Sequence, residues 1–123
     1  MQKYIIQFAI GFPIIVIAIY LIISTPPARN VPFPTDLNSC DMLLFTTQTC
    51  PYCKAARQFL NKSEVSINWC EVDINQSEKG YRLFQQFGGQ GVPLAIIGDK
   101  RIEGFSQISY HKAINSYQAE KIN

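Results

Sequence analysis

Cysteines 50 and 53 enclose a proline and a tyrosine, and the chain changes character across them. Before them come an apolar run, Met42-Leu43-Leu44-Phe45, and a polar turn, Thr46-Thr47-Gln48-Thr49. After them, residues 54–61 have helical composition. The pattern is strand, turn, helix, with a CxxC pair where the helix begins. A helix start leaves backbone N–H groups unpaired and carries the positive end of the dipole. Both favour a thiolate, the nucleophilic form of cysteine. Pro51 suits the first helical position because it has no N–H to leave unpaired. Lys54 and Arg57 in the next turn add positive charge near the sulfurs. Such a pair supports thiol–disulfide exchange, with Cys50 as the attacking thiol and Cys53, one turn in, as the resolving one.

Charge and cysteine number exclude several other classes. The formal net charge is only +2, and from Cys40 onward nine Lys/Arg face eight Asp/Glu. A nucleic-acid-binding face usually shows a stronger basic bias. A zinc site needs four ligands, usually Cys and His. Beyond the CxxC pair only Cys40, Cys70 and His111 could contribute, and His111 falls in the last helical segment. No metal is expected.

Residues 4–23 form an apolar stretch without charge, interrupted by Gln7 near its start. That is about the length needed to cross a ~30 Å hydrocarbon core. Gly11 and Pro13 inside it are tolerated in membrane helices, and Tyr4 and Tyr20 suit interfacial positions. A cleaved signal peptide would have a shorter apolar region and a small-x-small site, which Thr25-Pro26-Pro27-Ala28 does not provide. The expectation is a single-pass anchor preceded by a flank at residues 1–3. Lys3 before the stretch favours the N-terminus inside and the rest of the chain on the extracytoplasmic face, with the cytoplasmic face as the alternative. Residues 24–39 carry prolines at 26, 27, 32 and 34 and read as an extended linker, with a reach of up to ~50 Å at ~3.1 Å per residue.

The remainder reads as one domain over residues 40–118 with a short tail at 119–123. Residues 42–45 form a buried parallel strand. Residues 51–62 form a helix with Ala55, Ala56, Phe59 and Leu60 on its inner stripe. A second strand spans 66–73. Asn75 caps a second helix, with Glu78 completing a capping box, and Tyr81, Phe84 and Phe87 recur along it until Gly88-Gly89 stops it. Residues 94–97 and 100–103 form a hairpin about the turn Gly98-Asp99. Ser106 caps a final helix. The order is β-α-β-α-β-β-α, an α/β domain. In parallel strands Cys40 would precede the first while Cys70 comes late in the second. At ~3.3 Å per residue they lie more than ~7 Å apart, too far for a disulfide. Cys70 then reads as a small buried apolar residue, and Cys40 as an exposed one near the linker.

With a CxxC between first strand and first helix, this order resembles the thioredoxin superfamily, and Cys-Pro-Tyr-Cys resembles its glutaredoxin branch. Gly91-Val92-Pro93 stands where that family has Thr-Val-Pro with a cis proline. Ile102-Glu103-Gly104-Phe105 stands where the family has a glycine-containing turn beside the site. The resemblance spans about residues 41–117. It implies a thioredoxin-like fold with a four-stranded mixed sheet, here preceded by one transmembrane helix. It also implies a cis Val92–Pro93 bond facing Cys50, with the backbone of Val92 pairing to bound substrate. Tyr52 packs over the site, and Pro51, Lys54 and Arg57 support it. Gly91, Val92, Pro93, Gln86, Gly104 and Phe105 are the implied substrate-binding residues.

Two family features differ. The position of a lysine that binds the glycine carboxylate of glutathione is Thr47, and Glu103-Gly104-Phe105-Ser106-Gln107 replaces a Gly-Gly-Cys-Asp-Asp turn that meets its amino group. No bound cofactor is expected. Disulfide-containing or glutathionylated proteins are the implied substrates, and glutathione or a thioredoxin-reductase-type donor the implied source of electrons. The expected function is a membrane-tethered thiol–disulfide oxidoreductase. A non-catalytic membrane-bound adaptor on the same fold is the alternative, distinguished by an unreactive Cys50.

Overall fold

The computed structural model describes residues 15–17, 19–20, 34–62 and 64–123. Most of the expected anchor at 4–23, the flank at 1–3 and residues 24–33 of the linker lie outside them. Residues 15–17, 19 and 20 are helical and exposed. No helix among the described residues is long and apolar enough to cross a membrane.

One turn of 3-10 helix, Leu37–Ser39, leads into β1 (Met42–Thr46), α1 (Pro51–Leu60), β2 (Trp69–Asp73) and α2 (Glu78–Gln86). There follow β3 (Leu94–Ile97), β4 (Lys100–Glu103) and α3 (Gln107–Ile122). The strand order is β2-β1-β3-β4, with β1 parallel to β2 and the other pairings antiparallel. This is the thioredoxin-like α/β fold with a four-stranded mixed sheet.

The continuous apolar runs of β1 and β3 follow from burial on both sheet faces. Met42, Leu44, Ala95 and Ile97 face α1 and α3, where they meet Ala56, Phe59, Leu60, Tyr110, Ala113 and Ile114. Phe45, Leu94 and Ile96 face α2 and pack with Phe84 and Val72. Two residues, Gly98 and Asp99, join β3 to β4, because Ile97 pairs with Lys100. Gly98 has φ +57, the left-handed first position that a glycine adopts without steric cost.

Three local expectations are corrected. First, β2 begins at Trp69 rather than at residue 66. Second, the cap of α2 is Ser77, whose hydroxyl accepts Gly80 N–H at 3.0 Å. Asn75 instead belongs to a turn held by Asp73, whose Oδ1 accepts the N–H groups of Asn75 at 2.9 Å and Gln76 at 3.3 Å. Asp73 thereby holds Asn75 and Gln76 in a turn ahead of the helix, which starts only after Ser77. Third, α3 runs through residue 122, so residues 119–122 continue a helix rather than form a tail. Lys121 there pairs with Asp41 at 2.6 Å, tying the helix end to the start of β1.

The largest correction concerns Cys40 and Cys70, which form a disulfide with Cα atoms 5.8 Å apart. With β2 starting at Trp69, Cys70 is its second residue and pairs with Leu43. The chain before β1 also bends across toward β2. Asp41 and Met42 both donate to Asn68 O, at 2.7 and 3.2 Å, and Asn68 Nδ2 donates to Ser39 O. The excess separation expected from a straight strand is removed by this bend and by the later start of β2.

Candidate functional site

At the other end of the sheet from that disulfide, β1 ends at Thr46 and a short loop delivers Cys50 to the start of α1. Cys50 is the helix N-cap, in extended backbone conformation, and Pro51 is the first helical residue. The Cys50 sulfur accepts the backbone N–H of Cys53 at 3.2 Å. Here a sulfur fills the role that a Ser or Asp oxygen usually has at a helix start. Both cysteines are free thiols; Cys50 is half-buried and Cys53 is fully enclosed. Cys50 is therefore the more accessible of the two sulfurs.

Burial, followed by the hydrogen bond with Cys50, pushes the Cys53 thiol up to about 12. The N–H of Thr47 and the charge of Arg57 act in the opposite direction. Tyr110 lies beneath the site, and burial with some effect of Cys53 raises its phenol as well. Its hydroxyl donates to Gly104 O at 3.4 Å.

The loop before β3 faces Cys50. The Val92–Pro93 peptide is cis, and the Cys50 thiol points at Val92 O across 3.7 Å. Gly104, with φ +75, follows β4 and donates its N–H to Pro93 O at 2.8 Å. The hairpin end and the cis-proline loop are thus bound together. Between them and Tyr52 lies a cleft of about 320 Å3. Val92, Pro93, Gly104 and Phe105 line it together with Tyr52, whose side chain is 65% exposed. Phe105 stacks edge-on against Tyr110 at 5.0 Å.

Two of the residues implied as substrate-binding are not part of this cleft. Gln86 is exposed at the end of α2, and Gly91 is exposed with open space around it. Lys54 is exposed on α1. Arg57 is turned away from solvent. Its Nε donates to Glu71 Oε1 at 2.5 Å and its terminal nitrogen to Thr47 O at 3.1 Å. Ile102 and Glu103, in the turn expected beside the site, also line the cleft, and the sequence reading missed Ser106 and Ser109. It also missed Glu71, whose signal was a lone acid at an inward position of β2: its register partner Leu44 faces α1. Among the described residues no group of three or more His, Cys, Asp or Glu side chains could hold a metal ion.

Comparison with known proteins places this arrangement. The glutaredoxin family model matches residues 42–102, from the first residue of β1 into β4. Glutaredoxins of Neisseria meningitidis serogroups A and B are each 30% identical over 66 residues, covering 53% of this chain and 76% of theirs. The chain belongs to the glutaredoxin family. A probable thioredoxin of Archaeoglobus fulgidus is 38% identical over 61 residues, which span 48% of this chain and 66% of that protein. The glutaredoxin fold is shared with a solved glutaredoxin of Archaeoglobus fulgidus at TM-score 0.55 and 21% identity, over 68% of this chain and 98% of the other. A buckwheat glutaredoxin–glutathione complex superposes at TM-score 0.52 with 22% identity, over 68% and 80% of the two chains.

Proposed function

We propose that this glutaredoxin is a membrane-tethered thiol–disulfide oxidoreductase working through Cys50 and Cys53. The observation that carries this reading is the position of the Cys50 sulfur. It accepts the helix N–H of Cys53 and lies beside Val92 O, ahead of a cis proline and next to an open cleft. In the reductive direction the Cys50 thiolate attacks one sulfur of a target disulfide. A Cys50–target bond forms, the target S–S bond breaks, and the other target sulfur leaves as a thiol. Cys53 then attacks the Cys50 sulfur, the Cys50–Cys53 bond forms, and the second target thiol departs. Two electrons pass from the dithiol to the target, and an external thiol donor returns them.

Disulfides between or within proteins fit the cleft better than glutathione does. Among the described residues that line it, Glu103 is the only one charged at neutral pH, and an acid offers nothing to the carboxylates of glutathione. The carbonyl of Thr47, where the family resemblance puts a lysine, is already bound by Arg57. Glutathione keeps the role of a candidate electron donor, beside a thioredoxin-reductase-type donor.

The tether rests on the charge-free residues 4–23. Placement of the domain on the extracytoplasmic face has two supports. Lys3 precedes the stretch, and the domain carries the Cys40–Cys70 disulfide, a bond that persists in oxidising compartments and is rare in the cytosol. Expression of the full chain with Cys53→Ser tests the function. Cys50 should then accumulate in mixed disulfides that reductant releases. Absence of any Cys50-dependent adduct would rule the exchange reaction out.

A further inference from the structure

Arg57 and Glu71 form an ion pair that the exchange reaction described above does not use. Their side chains are 18% and 15% exposed. Glu71 Oε1 accepts both Arg57 Nε at 2.5 Å and the hydroxyl of the buried Thr46 at 2.6 Å. The pair thereby joins the end of β1, the middle of β2 and the second turn of α1. Desolvating two such charges is costly, and the cost is offset only where further hydrogen bonds satisfy them. Here Arg57 spends its remaining reach on a single backbone group, Thr47 O at 3.1 Å.

Thr47 is therefore held through its carbonyl, which Arg57 fixes, and its backbone N–H favours the Cys53 thiolate. We propose that Arg57, braced by Glu71, is a positioning residue for the resolving step: it fixes Thr47 so that its N–H meets the Cys53 sulfur as negative charge develops there. This inference rests on the dithiol reaction proposed above. The balanced step is Cys53–SH plus the Cys50–S–S–R mixed disulfide giving Cys50–S–S–Cys53 plus R–SH. The proton of Cys53 leaves with the departing thiol. Groups facing the Cys53 sulfur are Cys50 and Arg57 from α1, Thr47 N–H from the loop and Tyr110 from α3. Among these, Thr47 N–H and Arg57 favour the anion, and Arg57 governs both.

The guanidinium matters as a fork. A lysine at position 57 presents one compact ammonium and cannot bridge Glu71 and Thr47 O in the same geometry. Glu71→Gln keeps the shape of the brace and removes its charge. The first exchange does not depend on Thr47, because Cys50 is held by Cys53 N–H and faces Val92.

The test uses the fully reduced Cys50/Cys53 pair in the purified protein with the chromogenic disulfide dithiobis(nitrobenzoate). One coloured thiolate is released when Cys50 attacks, and a second when Cys53 resolves the adduct. Arg57→Lys and Glu71→Gln should slow the second phase about tenfold, the scale of one lost charge-assisted hydrogen bond, with the first phase within about twofold of wild type. A purely structural pair would lower the melting temperature and leave the ratio of the phases alone. An unchanged ratio, or an equal fall in both phases, overturns the proposal. Glu71→Gln carries the test if Arg57→Lys does not fold. A wild-type protein that releases only one thiolate would defeat the dithiol reaction itself, and this inference with it.

Discussion

The Cys50 sulfur lies 3.7 Å from the carbonyl oxygen of Val92, forty-two residues further along the chain, and the peptide that follows Val92 is cis. Neither residue is placed by the other's local sequence. Cys50 is where it is because β1 ends at Thr46 and α1 starts at Pro51. Val92 is where it is because β3 pairs antiparallel with β1. The sheet brings the Cys50 thiol to the cis-proline loop.

The Cys40–Cys70 bond closes a span of 30 residues that includes β1, α1 and the start of β2. By loop-closure entropy such a cross-link stabilises the fold by about 3–4 kcal/mol. The double variant Cys40→Ala/Cys70→Ala should therefore unfold at clearly lower denaturant, measured by chemical denaturation with Cys50 and Cys53 kept reduced. Its exchange activity under native conditions should survive, because the bond lies at the end of the sheet away from the dithiol.

Alkaline stability should depend on the redox state of the site. Burial first, then Cys50, raises the Cys53 thiol from its ordinary 9.0 to about 12. An unfolded chain releases that proton near 9, whereas the folded chain retains it. The resulting stabilisation of the reduced protein is complete below pH 9 and is lost as pH rises toward about 12. The form with a Cys50–Cys53 disulfide lacks this dependence. Thermal unfolding of both forms across that range checks it.

At the acid end, Asp41 titrates below its ordinary 3.8, held down first by Lys121 and then by the Tyr117 hydroxyl, which donates to it at 2.9 Å. Its contribution is present above 3.8 and disappears as pH falls through the lowered value. Lys121→Met should weaken this acid dependence. The readout is a shift in the acid-unfolding midpoint between variant and wild type.

Gly89 closes α2. Its N–H reaches Phe84 O at 2.9 Å while that of Gly88, at φ +69, reaches Gln85 O at 2.8 Å, a Schellman ending. A Cβ at position 89 would stand 2.2 Å from the Phe84 ring. Gly89→Ala should cost about 1–3 kcal/mol through overpacking, and urea unfolding measures it.

What the sequence made legible was governed by short-range rules. The CxxC at a helix start, the double-glycine stop and the Gly98-Asp99 turn each follow from a few adjacent residues. The cis bond at Val92–Pro93 came through family resemblance and not through spacing. Register is different in kind, because it is set by pairing across the sheet. A three-residue difference in where β2 begins decides whether Cys40 and Cys70 can meet. The same long-range pairing hid Glu71, whose partner Arg57 belongs to another element. At Asn75 an Asn followed by a Glu three residues on fits the capping-box motif. Asp73, the last residue of β2, instead holds residues 75 and 76 in a turn, and Ser77 takes the cap.

The most direct measurement is turnover of a disulfide peptide by the reduced full-length protein, compared with Cys50→Ser and supplied with a regenerating thiol. Wild type should turn over repeatedly, and the variant should fall to the uncatalysed rate. Turnover by Cys50→Ser equal to that of wild type would contradict an exchange reaction at Cys50.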